Sequence, residues 1–240
     1  MNQQKVLIIV PCFNEEAVIK NTLQKLLWAK KQMKTFSVDI CVVNDGSTDQ
    51  TAQILDSYRE EVVVIHLPCN LGIGGAMQTG YKYACKKGYD YAIQFDADGQ
   101  HNEKDIQYIL HYIDNQQLDM TIGSRFLKKT DYKGSPFRRA GILYFQFFIF
   151  VLTGRKITDA TSGFRVINRK VIEKFSANYP KDYPEPEVII DLVKNGYQVE
   201  EITVHMNQRE GGETSISHIR SLYYMLKVSL SIFMRTIVKE

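Results

Sequence analysis

Apolar runs recur along the first hundred residues, each followed by a stretch with helical patterning. Lys5-Val6-Leu7-Ile8-Ile9-Val10 is stopped by Pro11, and Asn14-Glu15-Glu16 then opens a helical pattern. Val38 to Val43 gives way to Asn44-Asp45-Gly46-Ser47-Thr48-Asp49 and helix-compatible sequence to about Tyr58. Val62 to Leu67 ends in Pro68-Cys69-Asn70-Leu71-Gly72, with a helix expected from about Gly75 to Lys87. A last run, Tyr91-Ala92-Ile93-Gln94-Phe95, leads directly into Asp96-Ala97-Asp98-Gly99-Gln100-His101. Strands that are apolar throughout, alternating with longer helical segments, predict βαβ units and an α/β fold with a mostly parallel sheet buried on both faces. In such sheets ligands bind beyond the carboxyl ends of the strands, and every loop just quoted lies at that edge.

Asp96 and Asp98 carry the most chemistry. Residues two apart in an extended chain point the same way, so both carboxylates can converge on one point where the strand ends. Two hard oxygen donors suit Mg²⁺ or Mn²⁺ that shares its coordination with water and a substrate phosphate. An Asp/Gly-rich turn that merely ends a strand has the same composition, so the pair alone leaves both readings open.

Taken in order, Pro11-Cys12-Phe13-Asn14-Glu15-Glu16, Val43-Asn44-Asp45-Gly46-Ser47-Thr48-Asp49, Asn70-Leu71-Gly72-Ile73-Gly74-Gly75-Ala76 and Asp96-Ala97-Asp98-Gly99-Gln100-His101 resemble the family 2 glycosyltransferases of the GT-A fold. Ile122-Gly123-Ser124-Arg125 and Thr161-Ser162-Gly163-Phe164-Arg165 resemble the branch of dolichyl- and polyprenyl-phosphate sugar synthases. The resemblance implies an inverting, metal-dependent transfer of a hexose from a nucleotide diphosphate sugar. It places the nucleotide at Pro11, Phe13, Asn14, Glu15, Asp45 and Asn70, with Asp96 at the ribose or the metal. It gives Asp98 as the first metal ligand, with Gln100 and His101 as further ones. Asn44 stands where relatives often carry a second Asp.

The acceptor is open between two chemistries. A polyprenyl phosphate is already ionised and needs cations to position it, for which Arg125, Arg138, Arg139, Arg165 and Arg209 are candidates. A hydroxyl of a lipid-linked glycan or polysaccharide precursor needs a carboxylate base, for which Glu187, with Glu185 beside it, is the candidate. Gln208-Arg209-Glu210-Gly211-Gly212 resembles the family's mobile loop, implied to close over the donor. A catalytically weak protein that binds nucleotide sugar and recruits a partner is a third reading, disfavoured by the intact aspartate pair. A nucleotidyltransferase is disfavoured by the lack of a glycine-rich, Lys/Arg-bearing loop after the first strand.

Composition adds a membrane to this picture. The chain has 240 residues, 44% of them hydrophobic, enough for one sizeable core. The GT-A domain is expected over 1–217 and an amphipathic helix over 218–240. Net charge is only +3, but Arg125 to Lys170 holds eleven Lys/Arg against Asp131 and Asp159. Within it, Ala140 to Leu152 has one polar side chain, Gln146, and is bracketed by Arg138, Arg139, Arg155 and Lys156. An apolar helix over about 138–153 is too short to span a bilayer but suits its interface; a core or dimer-interface helix fits the same sequence. That context disfavours nucleic acid as the partner of the basic stretch. Ile219, Leu222, Tyr223, Leu226, Leu230, Phe233 and Ile237 form a stripe that suits a membrane anchor, a small membrane-protein partner or a second copy of the chain. The four cysteines show no metal-ligand spacing and are expected to be reduced. With no signal peptide apparent, the protein is expected at the inner, cytoplasmic face of the membrane.

Overall fold

The computed structural model describes residues 3–127, 136–181 and 184–205, the side chains of residues 136–140 excepted. The elements run β1 (Lys5–Cys12), α1 (Ile19–Gln32), β2 (Ser37–Asn44), α2 (Thr51–Asp56), β3 (Val63–His66), α3 (Gly72–Lys87), β4 (Tyr91–Gln94), α4 (Asp105–Gln116), β5 (Met120–Ser124), α5 (Pro136–Thr153), β6 (Arg165–Asn168), α6 (Arg169–Ala177), α7 (Pro184–Lys194) and β7 (Val199–Thr203). Seven strands form one sheet in the order β3-β2-β1-β4-β6-β5-β7. All pairings are parallel except those of β6 with β4 and β5. The sheet is thus mostly parallel, as the apolar runs predict.

Its strands are apolar at successive positions because each serves two cores. Val6, Ile8 and Val10 of β1 join Leu23 and Leu26 of α1 and Ile106, Ile109 and Leu110 of α4 on one face. Leu7 and Ile9 join Met77 and Tyr81 of α3, Phe145 and Ile149 of α5, and Val188 and Ile189 of α7 on the other. The hydrophobic effect therefore acts on both sides of every central strand. Helix ends follow local chemistry: α3 stops at Gly88 in the left-handed conformation, and the Asn168 side chain caps α6 by accepting from the Val171 amide at 3.2 Å. The prolines at 184 and 186 prove to be the opening turn of α7, where a missing N–H costs no helical hydrogen bond.

The apolar segment Ala140–Leu152 resolves into two faces. Ile142, Phe145 and Ile149 are buried in the core, while Leu143, Phe147 and Val151 are 62, 68 and 60% exposed. Its one polar side chain, Gln146, donates to the Thr158 carbonyl at 2.6 Å. No helix among the described residues is long and apolar enough to cross a membrane. The helix expected over 218–240 and the loop at 208–216 lie outside the described residues.

Candidate functional site at the carboxyl edge of the sheet

β1 through β4 run parallel, so the loops that follow them meet at one edge. The first two are laced together. Asn14 takes a φ of 55°, a left-handed conformation that asparagine tolerates better than most residues. Its amide donates to the Ser47 hydroxyl (3.0 Å), and its side-chain oxygen accepts from the Thr48 amide (2.8 Å). The Glu15 amide donates to the Thr51 hydroxyl (2.9 Å), the Glu16 amide to Asp49 (3.1 Å), and the Gln50 amide to Glu16 (2.8 Å). The backbone of each loop is thereby satisfied by side chains of the other. Phe13 remains exposed at the rim.

Asp45 joins the second loop to the third. Its carboxylate accepts from the amides of Leu71 (2.7 Å) and Gly72 (2.9 Å), capping α3 from a different element. Burial raises its carboxyl above the ordinary range, opposed by those two amide bonds. Asn70 adds a bond to the Gly72 amide at 3.1 Å. At Gly46, with φ of +71°, a Cβ would lie 2.8 Å from the Asn70 amide nitrogen, so only glycine lets these loops meet. The Asp45 oxygens thus hold the third loop against the second.

Asp96 and Asp98 follow β4. Asp98 accepts from the Gln100 amide at 3.0 Å, which ties the loop back on itself. His101 is 3% exposed, between the rings of Phe95 and Phe164 at 5.3 and 5.2 Å, and its Nε2 faces Asp96 Oδ2 at 3.1 Å. Burial alone would raise the Asp96 carboxyl, but the His101 hydrogen bond and charge, with smaller help from Gln94 and Arg125, hold it below its ordinary value. His101 therefore orients Asp96, which corrects its assignment as a ligand. Gly163 packs directly on Asp96: a Cβ there would lie 2.1 Å from Oδ2. The donor set offered to a cation is oxygen only, and no described group of three or more His, Cys, Asp or Glu encloses a metal. Such an open pair of carboxylates fits Mg²⁺ or Mn²⁺ that completes its coordination from substrate and water.

Two arginines are held by the scaffold. Arg125 is buried and forked onto Asp159, with Nε to Oδ2 and Nη2 to Oδ1 both at 2.6 Å, and Nη2 reaches the Thr161 hydroxyl at 3.0 Å. The pair fixes the loop before β6 and holds the guanidinium where its charge is felt at Asp96. Arg165 donates to the carbonyls of Ser162 (2.7 Å), Ala160 (2.9 Å) and Glu185 (3.0 Å). It ties that loop to the first turn of α7, a positioning role beside the phosphate-binding one expected. Of the other acceptor cations, the side chains of Arg138 and Arg139 and all of Arg209 lie outside the described residues.

Glu187 is buried in the first turn of α7, two residues beyond Glu185. Burial raises the Glu185 carboxyl; Arg165 opposes this and Asp96 adds to it. The folded chain thus holds this proton more tightly than the unfolded chain. The group's contribution to stability falls as pH rises from its ordinary value through its native one. Glu185→Gln removes that cost, so it should raise the melting temperature at about pH 7 and leave it nearly unchanged at about pH 4. Thermal unfolding of both proteins at the two pH values checks this; a gain of equal size at both would refute it.

Sequence reasoning passed over Gly163, Asp159, Glu201 and His66. Glu201 of β7 accepts from the amides of Thr158 (2.6 Å) and Asp159 (2.7 Å), holding the loop that carries Gly163. Gly163 lies in a quoted motif and His66 at a strand end, but Asp159 and Glu201 carried no such signal. The buried thiols of Cys12 and Cys41 are pushed up to about 12 by burial, which makes them unreactive as nucleophiles.

The glycosyl transferase family 2 model matches residues 7–176. A UDP-N-acetylglucosamine–dolichyl-phosphate N-acetylglucosaminyltransferase of Methanococcus voltae is 31% identical, over 85% of this chain and 86% of that protein. A polyprenol monophosphomannose synthase of Mycolicibacterium smegmatis is 29% identical over 94% of this chain and 86% of its own. Among solved structures, glucosyl-3-phosphoglycerate synthase from Mycobacterium tuberculosis, in complex with Mn²⁺, UDP-glucose and phosphoglyceric acid, superposes with a TM-score of 0.73. That alignment covers 99% of this chain and 81% of the other at 14% identity, a likeness of fold. With the matched motifs gathered at one sheet edge, this chain belongs to the family 2 glycosyltransferases.

Proposed function

We propose that this glycosyltransferase moves a hexose from a nucleotide diphosphate sugar to a polyprenyl phosphate at the inner membrane surface. The observation that carries the reading is the attachment of α5 to the catalytic edge. The helix turns Leu143, Phe147 and Val151 outward, and through Gln146 it holds Thr158 of the loop that sets Gly163 on Asp96. A lipid resting on that face would present its phosphate close to the donor. The names of the Methanococcus and Mycolicibacterium relatives support the same acceptor class.

In this scheme the loops after β1, β2 and β3 bind the nucleotide through Asn14, Asp45 and their neighbours, and Asp96 and Asp98 hold the metal. A bound Mg²⁺ or Mn²⁺ supplies Lewis-acid stabilisation of the leaving diphosphate. The acceptor phosphate attacks the anomeric carbon in line as the sugar–phosphate bond breaks, giving inversion. Arg125, Arg138, Arg139 and Arg209 are the cations assigned to the acceptor, while Arg165 is engaged by three carbonyls.

A donor panel with polyprenyl phosphate in vesicles, read by mass spectrometry of the lipid, tests the reading. Phe147→Ser/Val151→Ser should lower vesicle binding and lipid transfer together, since both remove exposed apolar area; Phe148 is a poorer target because it packs partly against the core. Glu187→Gln should have little effect on kcat with an ionised acceptor. A loss of about 10²–10⁴ with donor affinity unchanged would instead mark Glu187 as a general base and a hydroxyl as the acceptor.

A further inference from the structure

Asn44 and His66 belong to no contact assigned above, yet they stand directly behind the loop that presents Asp45. Asn44 is buried at the end of β2, opposite His66 at the end of β3. The Ser47 amide donates to Asn44 Oδ1 at 3.1 Å, and Asn44 Nδ2 lies 2.9 Å from His66 Nδ1. A backbone N–H can only donate, so the atom facing Ser47 must be the oxygen. That leaves the Asn44 amino group facing the imidazole, and it too can only donate. His66 Nδ1 must therefore be the acceptor, with the proton on Nε2, which faces Asp56 Oδ1 at 3.1 Å. Ser47 in turn accepts from the Asn14 amide, so the order set by the imidazole reaches both donor loops.

We infer that His66 is a positioning residue for the nucleotide sugar: its neutral imidazole fixes Asn44, and through it the Asn14–Ser47 contact, in the arrangement that binds the donor. This rests on the reading of those loops as the nucleotide site. Protonation of Nδ1 creates a conflict that no rotation of Asn44 removes. As the amide stands, Nδ1–H meets the Asn44 amino group. With the amide turned over, the amino group meets the Ser47 N–H. One donor–donor contact remains in either case, and relief comes only by moving the loop. The charged groups facing His66 are Asp56 of α2 and, through it at 2.6 Å, Arg59; β2 contributes the neutral Asn44. Donor and proton thus compete, and by linkage each weakens the other. Loss of one such hydrogen bond corresponds to about five- to tenfold in donor affinity.

The test is calorimetric titration of the full chain with UDP, GDP, ADP, CDP and dTDP, each with Mn²⁺, at about pH 8 and about pH 5.5. Protonation of the nucleotide itself is common to all variants and cancels in their ratios. His66→Asn puts an oxygen that does not titrate where Nδ1 stood. Asn44→Asp supplies a carboxylate that accepts from Ser47 and from a protonated Nδ1 alike. Both should keep binding the nucleotide that wild type selects, and both should lose the extra five- to tenfold weakening at low pH. Melting curves confirm that each variant folds at both pH values. Equal acid weakening in wild type and both variants would overturn the role of His66. Failure of wild type to bind any of the five nucleotides would overturn the donor-site reading, and the inference with it.

Discussion

Asp98→Asn should reduce sugar transfer by about 10²–10³-fold or more while leaving the melting temperature within a degree or so of wild type. The substitution keeps an oxygen for the Gln100 amide, so the turn after β4 survives. What it removes is one of the two carboxylate charges that follow β4, and that charge would hold the divalent cation that offsets the leaving diphosphate. Asp96 cannot substitute, because one of its oxygens is engaged by His101. Mn²⁺ binding by electron paramagnetic resonance should weaken in parallel, and the wild-type enzyme should lose activity in chelator and recover it with Mn²⁺ or Mg²⁺. Full transfer by wild type under exhaustive chelation, or normal Mn²⁺ binding by the variant, would remove Asp98 from the metal site.

Gly163→Ala should be nearly as damaging by a different route. The φ of Gly163 lies outside the left-handed region, so alanine fits the backbone. The added methyl carbon would nonetheless lie 2.1 Å from Asp96 Oδ2 and 2.7 Å from its carboxyl carbon. Something must move, and Arg125, Asp159, Glu201 and Arg165 anchor the glycine's own loop. Displacement therefore falls on Asp96, and an error of about 1 Å there costs on the order of 10²-fold in kcat. Gly196→Ala is the contrasting case: φ is +81° with open space around it, so it should cost about 1–2 kcal/mol of stability and leave kcat alone. Steady-state kinetics and thermal unfolding of both variants separate the two effects. If Gly163→Ala retains wild-type kcat, the packing of Gly163 on Asp96 plays no part in catalysis.

Apolar runs, motif order and turn residues were legible along the chain because they are local. Lys5–Val10 reads as a buried strand from its composition, and Val6 and Leu7 do serve opposite cores. Asp96 and Asp98, two residues apart at a strand end, point to oxygen-ligated metal without any knowledge of what surrounds them. β6 was harder to see: four residues, Arg165–Asn168, inserted antiparallel between β4 and β5, carry no periodic signal of their own.

The partner of each charged group was decided only in three dimensions. For Arg125 and Arg165 the sequence records a guanidinium and not where it points. Folding places Asp159 and three carbonyls around them, and a buried cation is held where its compensation lies. The apolar segment over 138–153 could be core or membrane helix by composition; packing made it core on one side and left the other exposed. His101 and Gly163 acquire their roles by contact with Asp96 across 5 and 67 residues of chain respectively. By itself the sequence determined that the first four strands form, where their carboxyl ends gather and which chemistry collects there, since short-range pattern and burial suffice for that. Only the tertiary structure decided what each buried arginine pairs with, which glycine makes room for Asp96 and which groups surround His66, because those follow from which donors and acceptors meet.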